Sequence, residues 1–195
     1  MNRLIQYASL RPTPWKNGGG VTTELAMSPP GACLDDFDWR VSLASIAEDG
    51  PFSQFPGVDR TLVLVAGDGV LLDFGDERVV LSPSEPLVEF AGEDPVHATI
   101  SGPMSGQSTL DFNVMTRRGR YRHRIEPFVV CGSVPLPRRS GTTLVFLADG
   151  ESLSVGSARE RLALVRYDLL VLDGEQAWTL ESAQATVFVV DLIAN

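Results

Sequence analysis

Two stretches of this chain repeat one another at a nearly constant offset, and that repeat limits the available folds more than any other feature. TLVLVAGDGVLLDF, starting at Thr61, has a counterpart in TLVFLADGESLSV, starting at Thr143, and EPLVEFAGE at Glu85 resembles DLLVLDGEQ at Asp168, so the two pairs lie 82 and 83 residues apart. A shared spacing between separate matches points to duplication of one supersecondary unit. Within the first copy the apolar runs are short: 60–66, 70–74, 79–81, 87–90 and 96–100, with Gly67-Asp68-Gly69, Gly75-Asp76, Pro83-Ser84 and residues 92–95 as turns between them. Turn signals recurring about every 8 to 12 residues read as antiparallel strands of a sandwich or barrel. The expected fold is therefore all-β, a duplicated barrel.

No long linker separates the two copies. Residues 101–107 and 133–142, the latter with Pro135, Pro137 and Gly141, read as loops, while DFNVMTRRG between them reads as a strand followed by a turn. The chain is expected to form one unit over 1–195, with approximate halves 1–116 and 117–195. Residues 158–165 are the only stretch with a helical look, and the alternation of Leu162 and Leu164 suits a strand as well. At 195 residues the chain is long enough to bury roughly 70% of its unfolded surface without disulfide or metal staples.

Sixteen basic against 25 acidic residues leave a formal net charge of −9 and a pI near 4.7. That balance opposes general binding to nucleic acid or to an anionic membrane surface. No run approaches the length of a membrane span, and the opening MNRLIQYASLRP lacks the apolar core of a signal peptide, so a cytoplasmic location is expected. Cys33 and Cys131 share no CxxC spacing and read as reduced thiols.

The segment WKNGGGVTTELA, Trp15 to Ala26, is the most distinctive local signal. Three consecutive glycines permit positive φ and close approach, and their N–H groups could hold an anion; a plain flexible turn is the competing reading. It matches neither a Walker loop, because Lys16 precedes the glycines, nor GxGxxG, because Thr23 stands at the last glycine position. Lys16 is the only lysine beside fifteen arginines, which suggests a specific use for a compact ammonium. Arg117, Arg118, Arg120, Arg122 and Arg124 cluster around Tyr121 and His123. On a strand Arg118, Arg120, Arg122 and Arg124 would share one face, a possible phosphate track, although pairing with the many carboxylates of an acidic chain is the stronger reading. Only two histidines occur, His97 and His123, with no HxH, HExxH or CxxC, and GxSxG is absent. Zinc hydrolysis and serine-hydrolase chemistry therefore lack their usual residues.

Four segments together, WKNGGGVTTELA, DWRVSLASI at 38–46, GPFSQFPGVDRTL at 50–62 and DFNVMTRRG at 111–119, resemble the HutD/Ves family in order and along the whole chain. The resemblance implies a cupin-type double-stranded β-helix in a bicupin (RmlC-like) arrangement, in agreement with the repeat. It also implies association with histidine utilisation, in the manner of small-ligand-binding regulators, with urocanate or formate-like acids as candidate ligands. Its motif residues here are Trp15, Lys16, Asn17, Gly18, Gly19, Gly20, Thr22 and Glu24, then Arg40 and Ser42, then Phe55, Gly57, Asp59 and Arg60, then Asn113, Arg117 and Arg118. Cupins commonly hold a metal through HxH…E and a later histidine. Here residues 50–69 contain no histidine, Pro95 and Ala177 stand where the later ligands would fall, and His97 is two residues late, so no metal and no cofactor are expected.

The resulting expectation is a metal-free cupin pocket holding a small carboxylic acid. Arg60 would meet the carboxylate as a bidentate partner, Lys16 as a point charge, Asn17 and Asn113 would offer amide hydrogen bonds, and Glu24 could accept from an imidazole N–H, with Arg40 as a further ligand-binding residue. The alternative is an isomerase, hydrolase or deformylase-like enzyme on a histidine-degradation intermediate with Glu24 as general base. A third class is a protein-interaction module whose exposed strands pair in a homodimer.

Overall fold

The computed structural model describes residues 2–100, 108–136, 141–174 and 176–195. The loop expected at 101–107 lies outside the described residues, as do residues 137–140 of the second expected loop. Strand β1 (Arg3–Ile5) opens the chain and is followed by β2 (Thr13–Pro14), β3 (Gly20–Ser28), β4 (Trp39–Ile46), β5 (Gly50–Pro51), β6 (Val58–Ala66), β7 (Val70–Asp73), β8 (Arg78–Leu81), β9 (Leu87–Ala91), β10 (His97–Ile100) and β11 (Thr109–Arg117). The remaining strands are β12 (Tyr121–Pro135), β13 (Thr142–Gly150), β14 (Ser152–Gly156), β15 (Arg161–Val165), β16 (Leu169–Leu172) and β17 (Thr179–Ala194). The fold is all-β, as the short runs require, with one 3-10 turn at Tyr7–Ser9 as the helical element among the described residues. The ambiguous stretch near 158–165 forms β15, where Leu162 and Leu164 take opposite burial from their neighbours.

The chain divides into two compact units, one comprising Arg11–Arg120 and the other Met1–Leu10 with Tyr121–Asn195. In the first, a six-stranded sheet runs β2-β3-β4-β11-β6-β9 and a four-stranded sheet runs β5-β10-β7-β8. Ile46, Leu62 and Leu64 from the larger sheet meet Val70, Leu72, Leu81 and Ala98 from the smaller one, a two-sheet core built from alternate residues of each strand. In the second unit, β1-β16-β13-β17-β14-β15 form one sheet, with β12 paired to β17. Its interior is filled by Val145, Leu147, Leu153, Val155, Leu170, Leu172, Trp178, Val187 and Val189.

The sequence repeat is a register repeat. Thr61 faces Glu89 across β6 and β9, and Thr143 faces Leu172 across β13 and β16, so equivalent residues of the two copies occupy equivalent ladder positions. This is the cupin fold, and the chain's β-branched and leucine-rich runs supply the buried surface it needs.

Candidate functional site

The site of the Arg11–Arg120 unit follows from strand register. β4 and β6 flank β11 on its two sides, with Arg40 and Arg60 both opposite Met115, Ser42 and Leu62 both opposite Asn113, and Ala44 and Leu64 both opposite Asp111. Side chains two apart on a strand share a face, so these rows stack along one side of the sheet at about 7 Å intervals. On β3, Glu24 extends the Ser42 row and Thr22 the Ala44 row. The result is a cavity of about 790 Å³ whose wall includes Lys16, Asn17, Glu24, Arg40, Arg60 and Asn113, together with Trp15, Leu34, Ile46, Phe52, Phe55 and Leu62. All six residues singled out from the sequence are thus brought to one cavity, of a size common for small-molecule sites.

Arg60 is its most unusual member. The residue is 6% exposed, and its guanidinium carbon lies 4.8 Å from the centroid of Phe90 and 5.5 Å from those of Phe52 and Phe55. One Nη donates to the carbonyl of Ser53 at 3.3 Å, while the buried Nε has no hydrogen-bond partner. Burial, and secondarily the charge of Arg40, push its pKa down to about 10, which leaves it a cation at neutral pH. The carboxylates that could neutralise it are engaged elsewhere: Glu24 pairs with Arg40 at 3.1 Å and Asp59 with Arg118 at 3.3 Å. Ring faces compensate a buried cation only in part, so an anion has a strong electrostatic reason to enter.

The remaining polar groups are arranged around it. Arg40 reaches Glu24 through Nε and lies 3.9 Å from the sulfur of Met115 through Nη1. Asn113 is 7% exposed and its side-chain oxygen has no partner. Lys16 is exposed, and Asn17 accepts from the backbone N–H of Gly19 at 3.1 Å, leaving its NH₂ group to donate. Trp15 donates through its indole N–H to Thr22 at 2.7 Å.

Two alternatives left open by the sequence are decided, the second in favour of the stronger reading, carboxylate pairing. The glycine run does not present an anion nest: Gly18 donates to the carbonyl of Trp15 and Gly19 to the side chain of Asn17, so those N–H groups are spent within the turn. The glycines serve geometry instead, because Gly18 has φ +78° and a Cβ on Gly20 would lie 2.4 Å from the carbonyl oxygen of Ser45. The arginine run is not one strand face either. It turns at Gly119, between β11 and β12, leaving Arg118 paired with Asp59 and Glu93, Arg120 with Asp36 and Asp38, and Arg124 with Glu126.

Sequence reasoning missed the phenylalanine surround of Arg60, although GPFSQFPGVDR places Phe52 and Phe55 just ahead of it. It also missed Asp111, which alternation places on the face of Asn113. Asp111 is fully buried and accepts from Thr109 at 2.6 Å, its other oxygen has no partner, and burial pushes its pKa up to about 7. Glu24 has a side chain 42% exposed and paired with Arg40, so it is not an enclosed carboxyl. Among the described residues, no group of three or more His, Cys, Asp or Glu is placed to hold a metal ion, and no helix is long and apolar enough to cross a membrane.

Comparison with known proteins places this geometry in context. The HutD family model matches residues 7–190. An uncharacterised 21.2 kDa protein from the hutC 3′ region of Pseudomonas putida is 34% identical over 198 residues, covering 99% of this chain and 98% of its own. Protein Ves of Citrobacter koseri is 40% identical over 125 residues, so this chain matches 62% of that relative's length. Among solved structures, HutD from Pseudomonas fluorescens SBW25, described under a formate condition, superposes with a TM-score of 0.82 at 27% identity and full coverage of both chains.

Proposed function

Because this chain belongs to the HutD family, we propose that it is a cytoplasmic regulatory protein of histidine utilisation that binds a small carboxylic acid, with urocanate and formate as candidates, in the cavity around Arg60. The observation that carries this reading is Arg60 itself, a cation almost wholly buried, with an unpartnered Nε and no carboxylate paired to it among the described residues. A ligand carboxylate would accept from that guanidinium, Lys16 would add a second positive charge at the exposed part of the wall, and Asn17 and Asn113 would bond the ligand's remaining polar atoms.

A thermal-shift screen of urocanate, formate, formylglutamate, glutamate and histidine tests the proposal directly. A true ligand at 100 times its dissociation constant stabilises the fold by about 2.7 kcal/mol. Arg60→Ala should then weaken that ligand by roughly 10- to 150-fold, the loss expected for charge-assisted hydrogen bonds. Unchanged affinity in a folded Arg60→Ala protein would overturn the assignment. Turnover of any of these acids would favour the enzyme reading instead.

A further inference from the structure

The loop joining β3 to β4, residues 29–38, carries Leu34, a large apolar side chain that is 48% exposed and forms part of the cavity wall. An isolated exposed leucine is ordinary, but this loop is held in place by more than its own turns. Arg117, at the end of β11, donates from Nε to the carbonyl of Phe37 at 2.9 Å and from Nη2 to the carbonyl of Asp35 at 2.8 Å. Its backbone N–H bonds to the carbonyl of Asp38 at 2.8 Å. The same guanidinium lies 5.2 Å from the ring centroid of Phe37, whose ring meets Phe55 edge-on at 6.5 Å. Phe55 in turn is one of the rings around Arg60. Arg120 pairs with Asp36 and Asp38 on the loop's far side. One arginine therefore fixes both the loop that presents Leu34 and the aromatic packing behind the buried cation.

Cavity size gives this arrangement a purpose. About 790 Å³ far exceeds a one-carbon acid, and besides the rings that face Arg60 the wall has further apolar residues, Trp15, Leu34, Ile46 and Leu62 among them. Resting on the carboxylate reading above, we propose that Leu34 is a specificity-determining residue, which selects acids carrying a flat unsaturated body beyond the carboxylate by packing against its face, and that Arg117 is the positioning residue that sets it. The carboxylate end is common to all ligands of this class. On this proposal the flat body, and not the carboxylate held at Arg60, packs against Leu34, so Leu34 acts on the choice between a long acid and a short one.

The experiment is calorimetric titration of the unaltered protein, Leu34→Ala and Arg117→Lys with two probes, formate and urocanate. Leu34→Ala should weaken urocanate about 5- to 10-fold while changing formate less than about 2-fold, because only the longer acid loses apolar contact. Arg117→Lys keeps the charge but loses the planar fork that reaches two carbonyls, so it should show the same selective loss together with faster chymotrypsin cleavage after Leu34 or Phe37. Equal weakening of both acids, or no change in either, would overturn the role of Leu34. Unaltered cleavage and selectivity in Arg117→Lys would overturn that of Arg117. Failure of the unaltered protein to bind either acid would instead remove the carboxylate reading and this inference with it.

Discussion

Arg40 and Arg60 lie opposite the same residue, Met115, on the two sides of β11, and the charge of one lowers the pKa of the other. Two guanidiniums thus share one row of the sheet, and Glu24, from the neighbouring row, pairs with Arg40 alone. A fold selected for stability would pair or replace the buried member, since an uncompensated buried charge is costly. The buried member is left without a carboxylate partner among the described residues, and the proposed acid site rests on that feature.

Arg60→Met follows from this directly. An apolar side chain of similar length can pack among Phe52, Phe55 and Phe90 without the desolvation cost of the charge. The variant should be as stable as the unaltered protein or up to roughly 2 kcal/mol more so, read as an equal or higher urea midpoint, while losing acid binding. A clear fall in the midpoint would mean that the guanidinium's contacts with the three rings and with Ser53 stabilise the fold.

Lys16 should behave differently, because it is exposed. Its attraction for an anion is screened by salt, whereas that of a buried cation is screened much less. Lys16→Ala should weaken binding about 2- to 5-fold at low ionic strength, and the difference should largely vanish near 1 M salt. Lys16→Arg should fall between the two, as a bulkier planar group places its donors differently. A salt-independent loss would place Lys16 inside the bound complex.

How far the site was legible in sequence differs from residue to residue. Arg60 and Asn113 could be read because each sits in a short motif, and strand alternation sends alternate residues to a common face. The ring of Phe52, Phe55 and Phe90 around Arg60 could not, because Phe90 reaches it only through the pairing of β6 with β9, a register that no local pattern specifies. The same holds for Arg117: its motif was visible, but its hydrogen bonds to residues 35 and 37 depend on contacts some eighty positions away in the chain. Likewise β1 pairs with β16, a partnership between the first strand and one near the end that the repeat pattern did not announce. The glycines stayed ambiguous for a related reason, since a run of N–H groups looks available until the turn that consumes them is known.

Those glycines make a graded prediction. The atoms nearest a Cβ at Gly19 belong to the Asn17 side chain, at 3.6 Å or more, so Gly19→Ala should change stability by no more than about 0.5 kcal/mol. Gly18→Ala imposes a left-handed backbone on alanine and should cost about 1 to 2 kcal/mol. Gly20→Ala should cost most, because the new carbon would lie 2.4 Å from backbone at Ser45 and 3.2 Å from the Trp15 ring. Urea midpoints of the three variants check the order. A tolerated Gly20→Ala would show that the Trp15 turn can move away from β4.

Asp111 supplies the last prediction. Its pKa is about 7 in the folded protein against 3.8 for the ordinary carboxyl, so the folded state holds a proton that the unfolded chain has released. Stability from this group is therefore fully present below about pH 4, declines as pH rises toward 7, and levels off above that. Ionising the buried carboxylate leaves Thr109 as its hydrogen-bond donor and the other oxygen without a partner, a cost of up to roughly 4 kcal/mol at pH 8. Asp111→Asn keeps the shape without the titration. Relative to the unaltered protein, the variant should gain urea midpoint steadily between pH 4 and pH 7 and hold that gain at pH 8. His123, whose pKa burial pushes down to about 4, imposes the opposite slope below pH 6.5 in both proteins and cancels from the difference. A difference independent of pH would show that Asp111 does not carry its proton into the neutral range, and would remove it as a source of the protein's pH response.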